Sequence, residues 1–197
     1  MNRPTKDEIR ELPLYIGLDL NDITIVETQQ EALDVVEQLK NETCLGFDTE
    51  TKPIFRKGQT CPGPTLIQLA TRTKGYLFPT RFESALHAAR VLLSNANIKK
   101  VGFGLNGDNK ELRNKLNIEI QNTEDLAVKL KHLAKDKRTI GARAGVAMVL
   151  KQRLGKGAQK SNWGAYPLKK TQVLYAANDA HCAMCIELNI QSMSRND

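Results

Sequence analysis

Residues 44–53, CLGFDTETKP, put two acids at the end of a run that otherwise suits a sheet interior. Cys44, Leu45 and Phe47 fit a buried strand, and Asp48 and Glu50 follow, two positions apart. Side chains at i and i+2 leave a strand from the same face, so both carboxylates point to one side, a few ångströms from each other. Like charges held that close repel unless something positive lies between them. A polar strand end running into solvent explains an isolated D-x-E equally well, so the decision rests on the remainder of the chain.

Outward from this stretch, ITIVET (23–28) reads as a strand, and EALDVVEQLK (31–40) places Leu33, Val36 and Leu39 at helical spacing. TLIQLATR (65–72) and GYLFP (75–79) form an antiparallel hairpin across a Thr-Lys-Gly turn. Apolar residues from Phe82 to Ser94 recur at helical intervals, IKKVGFGL (98–105) is a further buried strand, and NGDNKELRNKL (106–116) opens a helix after a glycine-rich turn. The remainder reads as mainly helical. It comprises TEDLAVKLKHLAKD (123–136), AGVAMVLKQRLG stopped by Gly155, a loop KGAQKSNWGAYP (156–167), and a last helix from about Lys170 to Ser192. Strands early and helices late predict an α/β domain with a mixed sheet flanked by helices. The loop after the acids carries Pro53, Pro62 and Pro64. The first dozen residues are polar and contain Pro4 and Pro13, which predicts a loosely held arm over 1–22 ahead of a domain over 23–197.

With 197 residues, 41% hydrophobic and 26% charged, the chain is long enough for one globular domain with a substantial core. No apolar run approaches the ~20 residues that cross a bilayer. Asp7, Glu8 and Glu11 occupy the place where a secretory signal needs an apolar segment, so a cytoplasmic protein is expected. Cys44, Cys61, Cys182 and Cys185 are therefore read as free thiols. The C-x-x-C of the last pair lies in a helical pattern without a second Cys or His pair, which favours packing over zinc. The net charge of +7 suits a polyanionic partner, nucleic acid foremost, and is concentrated in KDKR (135–138), in the run from Lys151 to Lys160, and at Lys169 and Lys170.

Two more acids stand out. Asp108 follows the strand VGFGL at the first turn of a helix, where capping the helix is the plain structural role for an Asp. Asp179 lies mid-helix among Ala176, Ala177 and Ala180, an unfavourable place for Asp, with Tyr175 on the same helix face four residues before it.

Asp-x-Glu at a strand end, Asp at a strand-to-helix turn and Tyr-x-x-x-Asp in a C-terminal helix resemble the three motifs of the DEDD superfamily of 3′-5′ exonucleases. They match its tyrosine branch, which includes the ribonuclease D and Werner-syndrome exonuclease-domain types. FDTET (47–51), VGFGLNGDNKEL (101–112) and LYAANDA (174–180) are the matching segments, and SNWGAYPLKKTQVLYAANDA is similar to the approach to the third motif. The histidine branch would carry His where this chain has Leu174, so Tyr175 is the branch residue and His181 is incidental.

The resemblance implies an RNase H-like fold that gathers Asp48, Glu50, Asp108 and Asp179 to hold two ions of Mg²⁺ or Mn²⁺. The chain would then release nucleoside 5′-monophosphates from the 3′ end of DNA or RNA. Hard oxygen donors select such ions, and carboxylates so gathered need them. Tyr175, with a reference pKa near ~10, is a poor base at neutral pH and a better orienting group for water or a phosphate oxygen. Glu50 would also touch the 3′ hydroxyl. Lys160, Asn162 and Trp163, a cation, an amide and an aromatic in the loop before the last helix, are the candidates for gripping the strand, with Trp163 equally readable as the core anchor of that loop. The competing reading is a nucleic-acid-binding module of the same fold with weak or no catalysis.

Overall fold

Alternation along β2 (Cys44–Thr51) divides a six-stranded sheet into two buried faces in the computed structural model, which describes residues 1–53, 61–155 and 157–193. The other strands are β1 (Ile23–Ile25), β3 (Pro64–Ala70), β4 (Gly75–Pro79), β5 (Lys99–Gly102) and β6 (Thr123–Asp125). The helices are α1 (Lys6–Glu11), α2 (Gln29–Leu39), α3 (Glu83–Leu93), α4 (Leu105–Leu116), α5 (Leu126–Leu133), α6 (Ala142–Leu150) and α7 (Lys170–Met193). The strand order is β1-β4-β3-β2-β5-β6, and only the β2–β3 and β3–β4 pairings are antiparallel. The predicted mixed sheet and its early hairpin are both present. Most of the prolyl loop after the acids, residues 54–60, lies outside the described residues.

Leu45, Phe47, Ile67, Leu69 and Phe78 pack with α2, α3 and α4 on one face. Cys44 and Val101 on the other face pack with α5, α6 and α7, while Leu66 and Leu77 meet the first half of α7. Helix α7 lies across β2, β3, β4 and β5, and buries residues all round because the sheet covers one side and α6 the other. No helix among the described residues is long and apolar enough to cross a membrane. The four cysteines are free.

Local chemistry explains the element ends. Helix α2 starts at Gln29, ahead of the expected Glu31, because Thr28 and Glu31 form a capping box. Residues 123–125, expected to be helical, form β6 instead. Pairing with β5 satisfies their backbone, and Asp125 then caps α5 by accepting from Ala127 N at 2.8 Å. Helix α6 stops at Leu150 with Lys151 in the left-handed region at φ 56°, short of Gly155.

The N-terminal arm is docked, contrary to the loose arm expected. Tyr15 N donates to Arg153 O at 2.9 Å and Arg153 N to Pro13 O at 2.8 Å. The Tyr15 hydroxyl meets His181 Nδ1 at 2.8 Å, and Leu18 N donates to the Asn178 side-chain oxygen at 2.7 Å. Helix α1 has its own capping box from Thr5 and Glu8, and Arg3 reaches Asp136 at 3.3 Å. His181, also held by Arg72 O at 2.9 Å, is structural.

Gly46 is where α7 touches the sheet. A Cβ there would lie 2.0 Å from Ala180 O, a backbone atom that cannot rotate aside. Gly46→Ala should therefore lower stability by about 1–3 kcal/mol or more, as overpacking does. Gly107→Ala in α4, where a Cβ meets nothing within 4 Å, should be neutral or slightly stabilising. Thermal melts of the two variants test this ordering.

Candidate active site

Because Leu45 and Phe47 alternate with Asp48 and Glu50 along β2, the two acids leave the sheet in a cleft beside α7, as expected from their spacing. The cleft holds about 590 Å³ and is lined by Asp48, Thr49, Glu50, Tyr175 and Asp179, with Arg3, Arg143 and Gln159 at its walls. Thr49, between the acids, ties in the next carboxylate: its hydroxyl donates to Asp108 Oδ1, while its N–H donates to Asp48 Oδ1 at 2.8 Å.

Asp108 does not cap its helix. Gly104 occupies the cap in the left-handed region at φ 73°, and Asp125 of β6 takes the free N–H groups of Gly104 and Leu105 at 3.1 and 3.2 Å. The Asp108 carboxylate is thereby left to Thr49 and the site. Asp108 is not a wall of the cleft itself.

Tyr175 and Asp179 share a face of α7, one turn apart. The phenol ring is held from behind. Gly157 lies so close that a Cβ on it would sit 2.3 Å from Tyr175 Cδ2, and the Trp163 ring is 6.1 Å away at 39°.

Electrostatics follow from burial. Desolvation, with the charges of Asp179 and Asp108, pushes Asp48 well above the usual carboxylate range. The same causes raise Glu50 from 4.5 to about 8. Asp179 rises to about 6 through burial, opposed by the Tyr175 hydroxyl and the Arg143 guanidinium. Asp108 rises by burial, opposed by the Thr49 hydrogen bond. Burial, and then the Asp179 carboxylate, push the Tyr175 phenol upward, so it keeps its proton at neutral pH.

The donor set fits a hard divalent cation in chemistry: three carboxylates in one polar cleft with Asp108 tied to it through Thr49, burial opposing the charge of each and repulsion adding to it at Asp48 and Glu50. Among the described residues, however, no three acids, histidines or cysteines converge closely enough to clasp an ion in this conformation. Two of the candidate ligands, Asp48 and Asp108, are turned to Thr49.

The three grip residues separate. Trp163 is 3% exposed and packs with Leu66, Leu77, Val173 and Ala176, so its ring offers no face to a base; of its two expected roles it takes that of core anchor and not that of stacking, and it backs Tyr175. Asn162 is exposed, and its side-chain oxygen accepts from Gly164 N at 3.1 Å. Lys160 is exposed beside Gln159, which lines the cleft. Sequence reasoning missed Arg143, Arg3 and Asp125. Only Asp125 carried a local signal, an acid directly before an apolar helical run.

A carboxyl whose folded pKa lies above its unfolded value binds an extra proton in the folded state between the two values. Stability therefore falls as pH rises through that window. For Glu50 the window runs from 4.5 to about 8. Metal-free protein should lose thermal stability over that range, Glu50→Gln should flatten the decline, and added Mg²⁺ should oppose it in the wild type. Melting curves at fixed ionic strength across the window provide the check.

A family model for the 3′-5′ exonuclease domain matches residues 23–194. The mouse bifunctional 3′-5′ exonuclease/ATP-dependent helicase WRN is 30% identical over 156 residues, which cover 78% of this chain and 11% of that protein. A 3′-5′ exonuclease of Arabidopsis thaliana is 27% identical, over 81% of this chain and 59% of its own length. The chain thus spans less than two thirds of these relatives. In fold, the Nibbler EXO domain of Aedes aegypti superposes with a TM-score of 0.79 at 22% identity, covering 92% of both chains. Trypanosoma brucei RNase D in complex with RNA U12 gives 0.75 at 18% identity, over 93% of this chain and 64% of that one. With its RNase H-like sheet and the Asp-x-Glu, Asp and Tyr-x-x-x-Asp motifs at one end of it, this chain belongs to the DEDD 3′-5′ exonuclease family, in the ribonuclease D and WRN lineage.

Proposed function

We propose that the cleft hydrolyses the terminal phosphodiester bond of a nucleic-acid strand from its 3′ end, releasing a nucleoside 5′-monophosphate. The observation that carries this reading is the set of carboxylates, Asp48, Glu50, Asp108 and Asp179, whose pKa values are all raised in one buried neighbourhood. Such a cluster is costly alone and suited to divalent cations. Two ions of Mg²⁺ or Mn²⁺ held by these four residues would supply an activated water and neutralise charge on the attacking and leaving oxygens.

The remaining chemistry belongs to the chain. Tyr175, protonated and braced by Trp163 and Gly157, donates a hydrogen bond that orients the attacking water or a phosphate oxygen. Glu50 accepts from the terminal 3′ hydroxyl and so selects a free end. Arg143, close enough to act on the charge of Asp179, places a guanidinium where a phosphate enters. Thr49 holds Asp108 in register with Asp48. The RNA bound by the trypanosomal relative supports a single strand as substrate. DNA and RNA share the groups these residues would read.

The test uses strands carrying a 5′ label, with free or blocked 3′ ends, as DNA and as RNA. With Mg²⁺ or Mn²⁺, stepwise shortening of free ends and resistance of blocked ones are expected. Asp48→Asn and Asp179→Asn should abolish shortening while metal-free stability holds or rises, since each removes a carboxyl whose ionisation burial opposes. Tyr175→Phe should slow turnover by ~10- to 1000-fold, as the loss of a single orienting donor does. Binding without shortening in either metal would favour the competing reading, a nucleic-acid-binding module without catalysis. Shortening from the 5′ end would overturn both.

A further inference from the structure

Beside the acidic cleft runs a second groove of about 800 Å³, walled by α1 with the residues before it and by the start of α6. Its charged lining is Arg3, Lys6, Arg10, Arg138, Arg143 and Arg153, and no acid is among its walls. Pro4, Ile9, Ala144 and Leu154 supply apolar surface between these cations. Arg3, Arg143, Ala144 and Leu154 line both depressions, so the basic groove opens directly onto the carboxylates.

The cations divide by what they already do. Arg3 pairs with Asp136, Arg10 with Asp7, and Arg153 Nε donates to Leu12 O at 2.8 Å; these contacts hold the arm in place. The side chains of Lys6, Arg138 and Arg143 make no ion pair or hydrogen bond among the described residues; the charge of Arg138 acts on Asp136 and that of Arg143 on Asp179 only through space, which leaves their N–H groups to an anion from outside. Cations scattered over a surface are commonly just solvated. Here they line one concave wall, with apolar surface between them, ending at a cleft of opposite charge. A phosphodiester chain is the occupant that answers to all three features. Its phosphates neutralise the cations, its sugars and bases lie on the apolar floor, and its end reaches the acids.

We propose that the groove between α1 and α6 carries the backbone of the single strand whose 3′ end occupies the acidic cleft. The inference rests on the exonuclease reading, and it adds a binding track made in part by residues 1–22, which precede the segment matched by the family model. The arm is thus part of the substrate path.

The experiment compares the wild type with Lys6→Gln/Arg138→Gln and with a control of equal charge, Lys40→Gln/Lys74→Gln, whose residues lie in neither groove. Binding of fluorescent single strands about 12 nucleotides long, as DNA and as RNA, is measured by anisotropy in EDTA over a range of salt. The groove variant should bind more weakly, with the slope of log K against log salt reduced by up to ~1.4, at ~0.7 per lost phosphate contact on a single strand. The control should keep the wild-type slope. A separate measurement with Mg²⁺ compares turnover of the same strands with that of dinucleotides, and the ratio of long to short should fall ~10-fold in the groove variant. Equal slopes for the two variants, or no binding by the wild type, would overturn the track. Failure of the wild type to shorten any strand would overturn the exonuclease reading separately. An effect on one polymer only would assign the groove to that polymer.

Discussion

Backbone contact between Gly46 of β2 and Ala180 of α7 is the constraint from which the rest of the molecule takes its geometry. An ordinary helix-on-sheet packing keeps the two backbones apart by the width of their side chains. Here the glycine and the alanine-rich face of α7 remove those side chains, and the helix settles onto the middle of the sheet. Because Asp179 precedes Ala180 and Asp48 lies two residues beyond Gly46, the same contact that seats the helix brings two carboxylates from distant parts of the chain into one cleft. Packing and chemistry are therefore one feature here: a side chain at position 46 would displace Asp179 as surely as it would loosen the core.

That placement sets up an internal opposition. Burial raises all four acids, with repulsion from Asp179 and Asp108 added at Asp48 and Glu50, and the fold opposes it locally: Thr49 donates to Asp48 and Asp108, and the Tyr175 hydroxyl and the Arg143 charge act on Asp179. These donors are weak compared with a divalent cation, so they hold the carboxylates without satisfying them. Stability is spent at the same place where the chemistry needs charge, as in active sites that shift the pKa of their own residues. Gln68, opposite Asp48 on β3 and fully buried, adds to this: its amide finds no partner among the described residues.

What was legible in the sequence was what depends on short-range periodicity. The two-residue spacing of Asp48 and Glu50, the four-residue spacing of Tyr175 and Asp179, and the hairpin of β3 and β4 each follow from the repeat of a strand, a helix or a turn. The misreadings arose where a partner distant in sequence decides the outcome. Residues 123–125 continue a helical pattern, and only the edge of β5 makes them a strand. Trp163 combines an aromatic with neighbouring polar groups, as a base-stacking site does, and only the surface of α7 and β3 makes it core. Arg3 and Arg143 carry no local sign of their position, because 140 residues separate two side chains that share a wall. The arm was misjudged for the same reason: its polar, proline-marked composition is that of a tail, and its anchors are Arg153, Asn178 and His181.

Those anchors bear on how the molecule comes off the ribosome. Leu18 and Asn178, which hydrogen-bond to each other, are 160 residues apart, and Tyr15 and His181 are 166 apart. Translation at ~5–20 residues per second puts roughly 8–30 s between the emergence of the two partners. During that interval the arm lacks its anchors on α7, and the face of the sheet that α7 covers is open, including the acids at the end of β2. The cleft closes only when the last helix is released from the exit tunnel. Until α7 has emerged there is no assembled cleft, and the cleft forms in the same event that covers this face of the sheet.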